Sequence, residues 1–308
     1  MANPTDKAIL FDASRCTGCR ACQVACKNWN ERTFTRTDCD GTYENPLQLT
    51  SQCWMRILFN EPEERPTSDD GLYWFFTKYQ CMHCTDATCV KVCPSGATKK
   101  HKVSDDDSEA YVVRTDPKQC IGCNYCVATC PFQACRFDSA EKGIFRCVLC
   151  FDRITNNADA FPTIEIGASP DLEKNAKDPY PARNMPACVM TCTSRALSYG
   201  TLKEMQDKAD ERVALLKKER GKENAQVYGN DDLSGLHYIY VLEDAPDKYG
   251  LPVKPTVPAG VTVFETLIKP GAPWGGLALV GLVAAAGVGY VINKRNEGLE
   301  RTAAGGGE

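Results

Sequence analysis

The sequence predicts an α+β chain: two small cysteine-lined units of short strands and helices, followed by one apolar helix. Three observations predict it. Sixteen of the nineteen cysteines fall into four sets of four. A short apolar or aromatic run of strand character precedes each set, at residues 8–11, 72–79, 111–114 and 143–146. Residues 274–292 carry no charge at all.

The third set shows the chemistry. In Cys120-Ile-Gly122-Cys123-Asn-Tyr-Cys126-Val-Ala-Thr-Cys130-Pro131, three thiols are spaced two residues apart and a fourth follows after three residues and before a proline. That is the run that holds a cubane [4Fe–4S] cluster, with the fourth thiolate directed at a second cluster. The first set is Cys16, Cys19, Cys22 and Cys26. The second is Cys81, Cys84, Cys89 and Cys93. The fourth is split into Cys147 and Cys150, then Cys188 and Cys192. Structural zinc sites pair two separated knuckles, so three consecutive knuckles ending in C-x3-C fit iron–sulfur better. Dense cysteine in C-x2-C units also argues for metal rather than a disulfide framework.

The repeat extends beyond cysteine. Asp12-x3-Cys16-Thr-Gly18-Cys19 matches Asp116-x3-Cys120-Ile-Gly122-Cys123. Gly18 and Gly122 stand where the backbone must turn sharply and offer its N–H groups to sulfur, which calls for φ > 0. Ala97, Ala134 and Ala196 each lie four residues beyond a closing cysteine, where a small side chain lets a strand pass close to a cluster.

Taken in order, residues 8–11 form a strand and 24–29 a short helix. Residues 30–50 are polar loop. Residues 53–59 form a strand, and 61–71 a proline-rich charged turn. After the strand at 72–79 and the second set, residues 99–109 read as a charged hairpin tip. Residues 151–187, rich in Asn, Asp and Pro, form a surface excursion. Residues 202–219 have helical spacing, with Leu202, Met205, Ala209, Val213 and Leu216 on one face. Residues 236–242 are one more strand, and 244–258 a proline-containing linker.

At 1.5 Å per residue, residues 274–292 span roughly 28 Å, about one hydrocarbon core. Trp274 and Tyr290 stand near its ends, and Lys294 and Arg295 stop it. Gly281, Ala285 and Gly289 form a small-residue face suited to a neighbouring helix. Lys294, Arg295 and Arg301 outweigh Lys269, so the C-terminus is expected in the cytoplasm and the cluster units on the outer, periplasmic side. Residues 1–6 show neither an apolar core nor a twin arginine, so export would need a carrier. Net charge is −4, and no basic block suggests nucleic acid.

Several phrases carry a resemblance. They are Cys81-Met-His83-Cys84, Cys147-Val-Leu-Cys150-Phe-Asp-Arg153, Ala21-Cys-Gln-Val-Ala-Cys26, Tyr43-Glu-Asn-Pro46, Val227-Tyr-Gly and Leu236-His-Tyr-Ile-Tyr-Val-Leu242. With the four-set ladder and the apolar tail, they resemble the iron–sulfur β subunits of membrane-bound respiratory formate dehydrogenases. Those are four-cluster, ferredoxin-like electron-transfer subunits of the molybdenum/tungsten oxidoreductases. The likeness runs from residue 7 to 292. It departs at Thr193, where the family has proline, and in the longer insertion between Cys150 and Cys188.

The resemblance implies two ferredoxin-like [4Fe–4S] domains with a C-terminal single transmembrane helix. Residues 1–75 plus 138–243 carry the first and fourth sets, and 76–137 the second and third. A linker (244–273), the membrane helix (274–292) and a disordered tail (293–308) follow. It pairs the sets crosswise. One cluster takes Cys16, Cys19, Cys22 and Cys192, and another Cys147, Cys150, Cys188 and Cys26. A third takes Cys81, Cys84, Cys89 and Cys130, and the fourth Cys120, Cys123, Cys126 and Cys93. It further implies a hetero-oligomer with a molybdenum- or tungsten-pterin catalytic subunit and a membrane cytochrome b, in which this chain has no catalytic site. The same wire serving another molybdo-oxidoreductase or a hydrogenase is the alternative. A redox-sensing interaction protein is a third reading, disfavoured by complete ligand sets.

Among the remaining residues, Lys91 lies between Cys89 and Cys93, where an ammonium would favour a reduced cluster or merely be solvated. His83, inside a ligand loop, suits a hydrogen bond to the cluster environment rather than ligation. His101 and His237 read as structural. Cys39, Cys53 and Cys135 read as small packing residues, with a Cys39–Cys53 disulfide open to the chain in an oxidising compartment.

Overall fold

The computed structural model describes residues 3–34, 36–38, 41–61, 74–103, 110–155 and 185–265. At its centre, strand β1 (Lys7–Asp12) pairs in parallel with β10 (Tyr238–Leu242) and antiparallel with β8 (Leu197–Thr201). Strand β9 (Gln226–Tyr228) closes the edge against β10, giving a four-stranded sheet in the order β8-β1-β10-β9. Five of the six residues of β1 are buried, as expected of a strand covered on both faces.

Strand side chains alternate between faces, and the two faces of this sheet have different work. Ala8, Leu10, Ile239 and Val241 pack under the long helix α6 (Leu202–Arg220). That helix forms where the spacing predicts. Thr201 caps it in a capping box with Glu204, and Gly221 ends it at φ 62°. Leu202, Met205, Ala209 and Leu216 form its buried stripe, each large side chain worth about 1.5–3 kcal/mol. On the other face, Ile9, Phe11, Tyr238 and Tyr240 share a core with Cys22, Cys26, Cys81 and Cys188. The sheet therefore separates α6 from the thiols.

Three antiparallel ribbons complete the sheet structure: β2 (Met55–Asn60) with β3 (Phe75–Gln80), β4 (Thr98–Lys102) with β5 (Tyr111–Thr115), and β6 (Arg136–Asp138) with β7 (Gly143–Phe145). Short helices follow the cysteine loops: α1 (Ala21–Trp29), α2 (Thr88–Lys91), α3 (Tyr125–Thr129), α4 (Phe151–Ile154) and α5 (Ala187–Met190).

Two expectations are corrected. Residues 99–102 are not hairpin tip but part of β4, with Lys100 opposite Val113 and His101 opposite Val112. Residues 244–258 do not run free. They contain a 3-10 turn (Pro246–Tyr249), Tyr249 is 1% exposed, and its ring lies 4.8 Å from that of Phe75. The Tyr249 carbonyl accepts the Thr77 hydroxyl at 2.7 Å. Helix α7 (Ala259–Val263) then buries Val261 beside Cys89 and Cys126. The insertion between Cys150 and Cys188 lies largely outside the described residues, and the apolar stretch 274–292, the tail 293–308 and Cys39 lie wholly outside them. Among the described residues no helix is long and apolar enough to cross a membrane.

Candidate metal centres

The first and third loops have the same backbone. Gly18 and Gly122 take φ 65° and 69°, and Arg20 and Asn124, each just before a helix, both take φ 60°. Asn enters this left-handed region readily, but nothing in the sequence singled out Arg20. The paired Asp residues explain the longer repeat. Asp12 accepts the Ser14 N–H at 3.0 Å and Asp116 the Lys118 N–H at 2.9 Å, so each folds the entry to its loop. Main-chain N–H groups reach sulfur from Gly18 to Cys16 at 3.5 Å, and from Thr98 to Cys93, Ala134 to Cys130 and Leu149 to Cys147 at 3.4 Å.

The strands bring distant sets together. The Asp12 N–H, before the first set, donates to the Ala196 carbonyl, after the fourth. The Asp116 N–H, before the third, donates to the Ala97 carbonyl, after the second. Both bonds are 2.8 Å long. Ala97, Ala134 and Ala196 are all buried.

Burial raises most of these thiols, and nearby thiols add to it. Burial pushes Cys16 up to about 11, with Cys192 and Cys19 adding to it. Burial pushes Cys22 up to about 12, with Cys188, Cys16 and Cys192 adding. Cys26 is driven well up by burial, then by Cys147, Cys150 and Cys188. Those last four thiols, with Lys78, line one cavity. Cys84 is driven up by burial, then by Cys81, Cys130 and Cys89. Cys123 is raised by burial, then by Cys126, Cys93 and Cys120. A buried thiolate without a cation is unfavourable, and iron reverses that by taking the sulfur as an anion. Among the described residues no group of His, Cys, Asp or Glu converges as the ligands of a single metal ion would.

Thiols of different sets also share cores: Cys22, Cys26, Cys81 and Cys188 in one, with Cys147 packed against it, and Cys89 and Cys126 in another. Cys135, read from sequence as packing, is 1% exposed and lies among Cys89, Cys126 and Cys130. Cys53 is a buried free thiol that accepts from Gln23 at 3.5 Å.

Two cations sit among the thiols. Lys78, 1% exposed, donates to Gln80 Oε1 at 3.1 Å and lies 4.6 Å from the centre of the Tyr238 ring. Arg146, 2% exposed, donates from Nη1 to Cys89 Sγ at 3.0 Å and to Cys135 Sγ at 3.5 Å. Its Nε and Nη2 are buried with no hydrogen-bond partner among the described residues. Buried donors left over beside a thiol quartet fit an anionic sulfide-bearing group there. Neither residue was found from the sequence. The only available signal was a charged residue inside or at the end of an otherwise apolar strand.

The other candidates lie as follows. Lys91 pairs with Asp86 at 2.7 Å and with Glu265 at 3.4 Å, so carboxylates already match its charge. His83 is wholly buried, and burial, then Arg146, holds its ring well below the ordinary range and neutral. His237 bonds Asp6 at 3.2 Å and Thr85 at 3.3 Å, a structural tie between the start of β10 and the second set.

Comparison with known proteins agrees with this arrangement. A 4Fe-4S dicluster domain family matches residues 72–163, and a 4Fe-4S binding domain family residues 7–28. The formate dehydrogenase iron-sulfur subunit of Haemophilus influenzae is 37% identical, over 88% of this chain and 77% of the relative. The nitrate-inducible formate dehydrogenase iron-sulfur subunit of Escherichia coli is 36% identical, over 88% of this chain and 81% of the relative. A sulfite dehydrogenase component from Allochromatium vinosum is 30% identical, over 70% of this chain and 76% of the relative. With its cysteine ladder, its crosswise strands and this extent of identity, the chain belongs to the formate dehydrogenase iron–sulfur subunits, the electron-transfer members of those complexes.

Proposed function

We propose that the chain relays electrons through four [4Fe–4S] clusters, from a molybdenum- or tungsten-pterin subunit that oxidises formate to a membrane cytochrome b. A [4Fe–4S] cluster fully held by thiolates passes one electron and leaves no iron open to substrate. The reading assigns Cys16, Cys19, Cys22 and Cys192 to one cluster, and Cys26, Cys147, Cys150 and Cys188 to the next. Cys81, Cys84, Cys89 and Cys130 hold the third, and Cys93, Cys120, Cys123 and Cys126 the fourth. The first two belong to the unit of residues 1–75 with 138–243, the others to residues 76–137.

The observation that carries this is the company each thiol keeps. Cys26 lines one cavity with Cys147, Cys150 and Cys188, and Cys130 packs in one core with Cys84 and Cys89. In each case the fourth member comes from a partner set, as the spacing rule requires. Cys22, Cys81, Cys147 and Cys188 pack in one core, and Cys89 and Cys126 in another, which in this reading sets the quartets in series. Cys19 at one end is exposed and Cys123 at the other half-exposed, while Cys26 and Cys81 between them are buried. Main-chain N–H groups bonded to sulfur and the buried flanking cations stabilise added negative charge.

Residues 274–292 serve in this reading as a single-pass anchor docked on the cytochrome, with the C-terminus in the cytoplasm. Deleting residues 274–308 should release the chain from the membrane. Continued membrane association in the absence of its partner subunits would refute the anchor.

The decisive test is Cys126→Ala in the assembled complex. Iron and sulfide should fall by one cluster, and formate-to-quinone electron flow should be lost. Formate oxidation with a soluble dye should persist. Loss of dye-linked activity in a fully assembled complex would overturn the division of labour. Absence of inorganic sulfide from an oxygen-free preparation would overturn the relay itself. The identity of the co-purifying catalytic subunit separates formate from another substrate.

A further inference from the structure

A buried ammonium or guanidinium needs a counter-charge close by. Among the described residues no carboxylate pairs with Lys78 or Arg146, although each is at most 2% exposed. What surrounds them instead is sulfur. Lys78 lines the cavity formed with Cys26, Cys147, Cys150 and Cys188. It therefore faces the quartet those four thiols make. Arg146 bonds Cys89 at 3.0 Å and Cys135 at 3.5 Å. It therefore faces the quartet of Cys81, Cys84, Cys89 and Cys130.

A cluster held by four thiolates is an anion, and reduction adds one more negative charge. A fixed cation buried beside a cluster favours its reduced state, and the dry surroundings leave that attraction poorly screened. Lys91 cannot do the same, because Asp86 and Glu265 answer its charge.

We propose that Lys78 and Arg146 are the buried counter-cations of the relay, Lys78 raising the reduction potential of the cluster of Cys26, Cys147, Cys150 and Cys188 and Arg146 that of the cluster of Cys81, Cys84, Cys89 and Cys130. They are positioning charges, not ligands. The inference rests on the cluster reading above, and iron and sulfide counts separate the failure of one from the failure of the other.

The test is a potentiometric titration of the purified complex followed by electron paramagnetic resonance, for Lys78→Met, Lys78→Arg, Arg146→Met and Arg146→Lys. The methionine variants should retain iron and sulfide for four clusters. In Lys78→Met, the cluster of Cys26, Cys147, Cys150 and Cys188 should become at least tenfold harder to reduce, about 59 mV for one electron, while the cluster of Cys93, Cys120, Cys123 and Cys126 moves less than threefold. Arg146→Met should shift the cluster of Cys81, Cys84, Cys89 and Cys130 by as much, while the cluster of Cys16, Cys19, Cys22 and Cys192 moves less than threefold. The charge-conserving variants should stay within threefold of the parent. If a methionine variant loses clusters, a full complement with parental potentials in its charge-conserving partner supports the proposal. Loss of clusters from both overturns it. Full clusters with unmoved potentials, or all four clusters shifting alike, also overturn it.

Discussion

Replacing Gly18 by alanine separates two costs that a cysteine loop imposes on its glycine. The residue sits at φ 65°, and an added Cβ would lie 2.7 Å from the Phe76 ring. The left-handed backbone costs an alanine roughly 1–2 kcal/mol. Crowding against a packed ring adds about 1–3 kcal/mol. Gly18→Ala should therefore destabilise by about 2–5 kcal/mol. Gly96 is the control, because its φ is 66° but a Cβ there meets nothing within 4 Å. Gly96→Ala should cost only the backbone share, about 1–2 kcal/mol. The assay is the denaturant midpoint of the cluster-loaded protein, with iron per chain measured beside it. Phe76→Leu should recover part of the Gly18→Ala loss, as positive coupling in a double-mutant cycle. Equal losses at Gly18 and Gly96, or no coupling to Phe76, would refute the claim that the ring and the loop are fitted to each other.

Three further outcomes follow from the geometry. Tyr240→Phe removes a buried hydroxyl that donates to the Lys78 carbonyl at 2.8 Å and accepts from Gln80 at 3.2 Å, so it should cost about 1–3 kcal/mol by denaturant titration. Asp12→Ala removes the carboxylate that Arg212 Nε meets at 2.8 Å but leaves Arg212 its bond to Ser14, so it should cost about 2 kcal/mol; Arg212→Ala in the same background should add little, since the pair is already broken. Burial, then Arg114 and Lys99, lower His101 from 6.5 to about 4, so its contribution to stability is present above pH 6.5 and is lost as pH falls through 4. Stability curves of His101→Phe should be flatter than the parent's between those two pH values.

What could be read directly was whatever depends on near neighbours in the chain. Cysteine spacing marks the loops because one loop wraps one cluster, and the stripe from Leu202 to Leu216 marks α6 because a helix shows its buried face every three or four residues. Gly18 and Gly122 were legible because a positive φ calls for glycine. Arg20 was not, since its φ of 60° is imposed by the loop around it rather than favoured by its own side chain. Lys91 drew attention by lying between two cysteines, yet proximity along the chain says nothing about Asp86 and Glu265. Lys78 lies apart along the chain from every cysteine set but the second, and only the folded chain places it with Cys26, Cys147, Cys150 and Cys188. Residues 99–102 looked like a tip because their charges are exposed, and only the register with β5 makes them a strand.

The crosswise pairing of sets is where local reading and topology meet. A run of cysteines states that its last thiolate belongs to another cluster but not to which. Two equivalent bonds support the crosswise reading, Asp12 N–H to Ala196 and Asp116 N–H to Ala97. Each ties the strand entering one set to the strand leaving its partner, and each passes a buried alanine too small to hold the strands apart. The outer pair is separated by about 180 residues, whereas the inner pair closes within about twenty, so the loop-closure cost is larger for the outer pair. The outer unit compensates with more apolar burial. Its strands lie in the four-stranded sheet under α6, while the inner pair is a two-stranded ribbon. Helix α6 touches no cluster thiol, yet it holds the face of β1 and β10 opposite the thiols, and that is what lets the first and fourth sets meet at all.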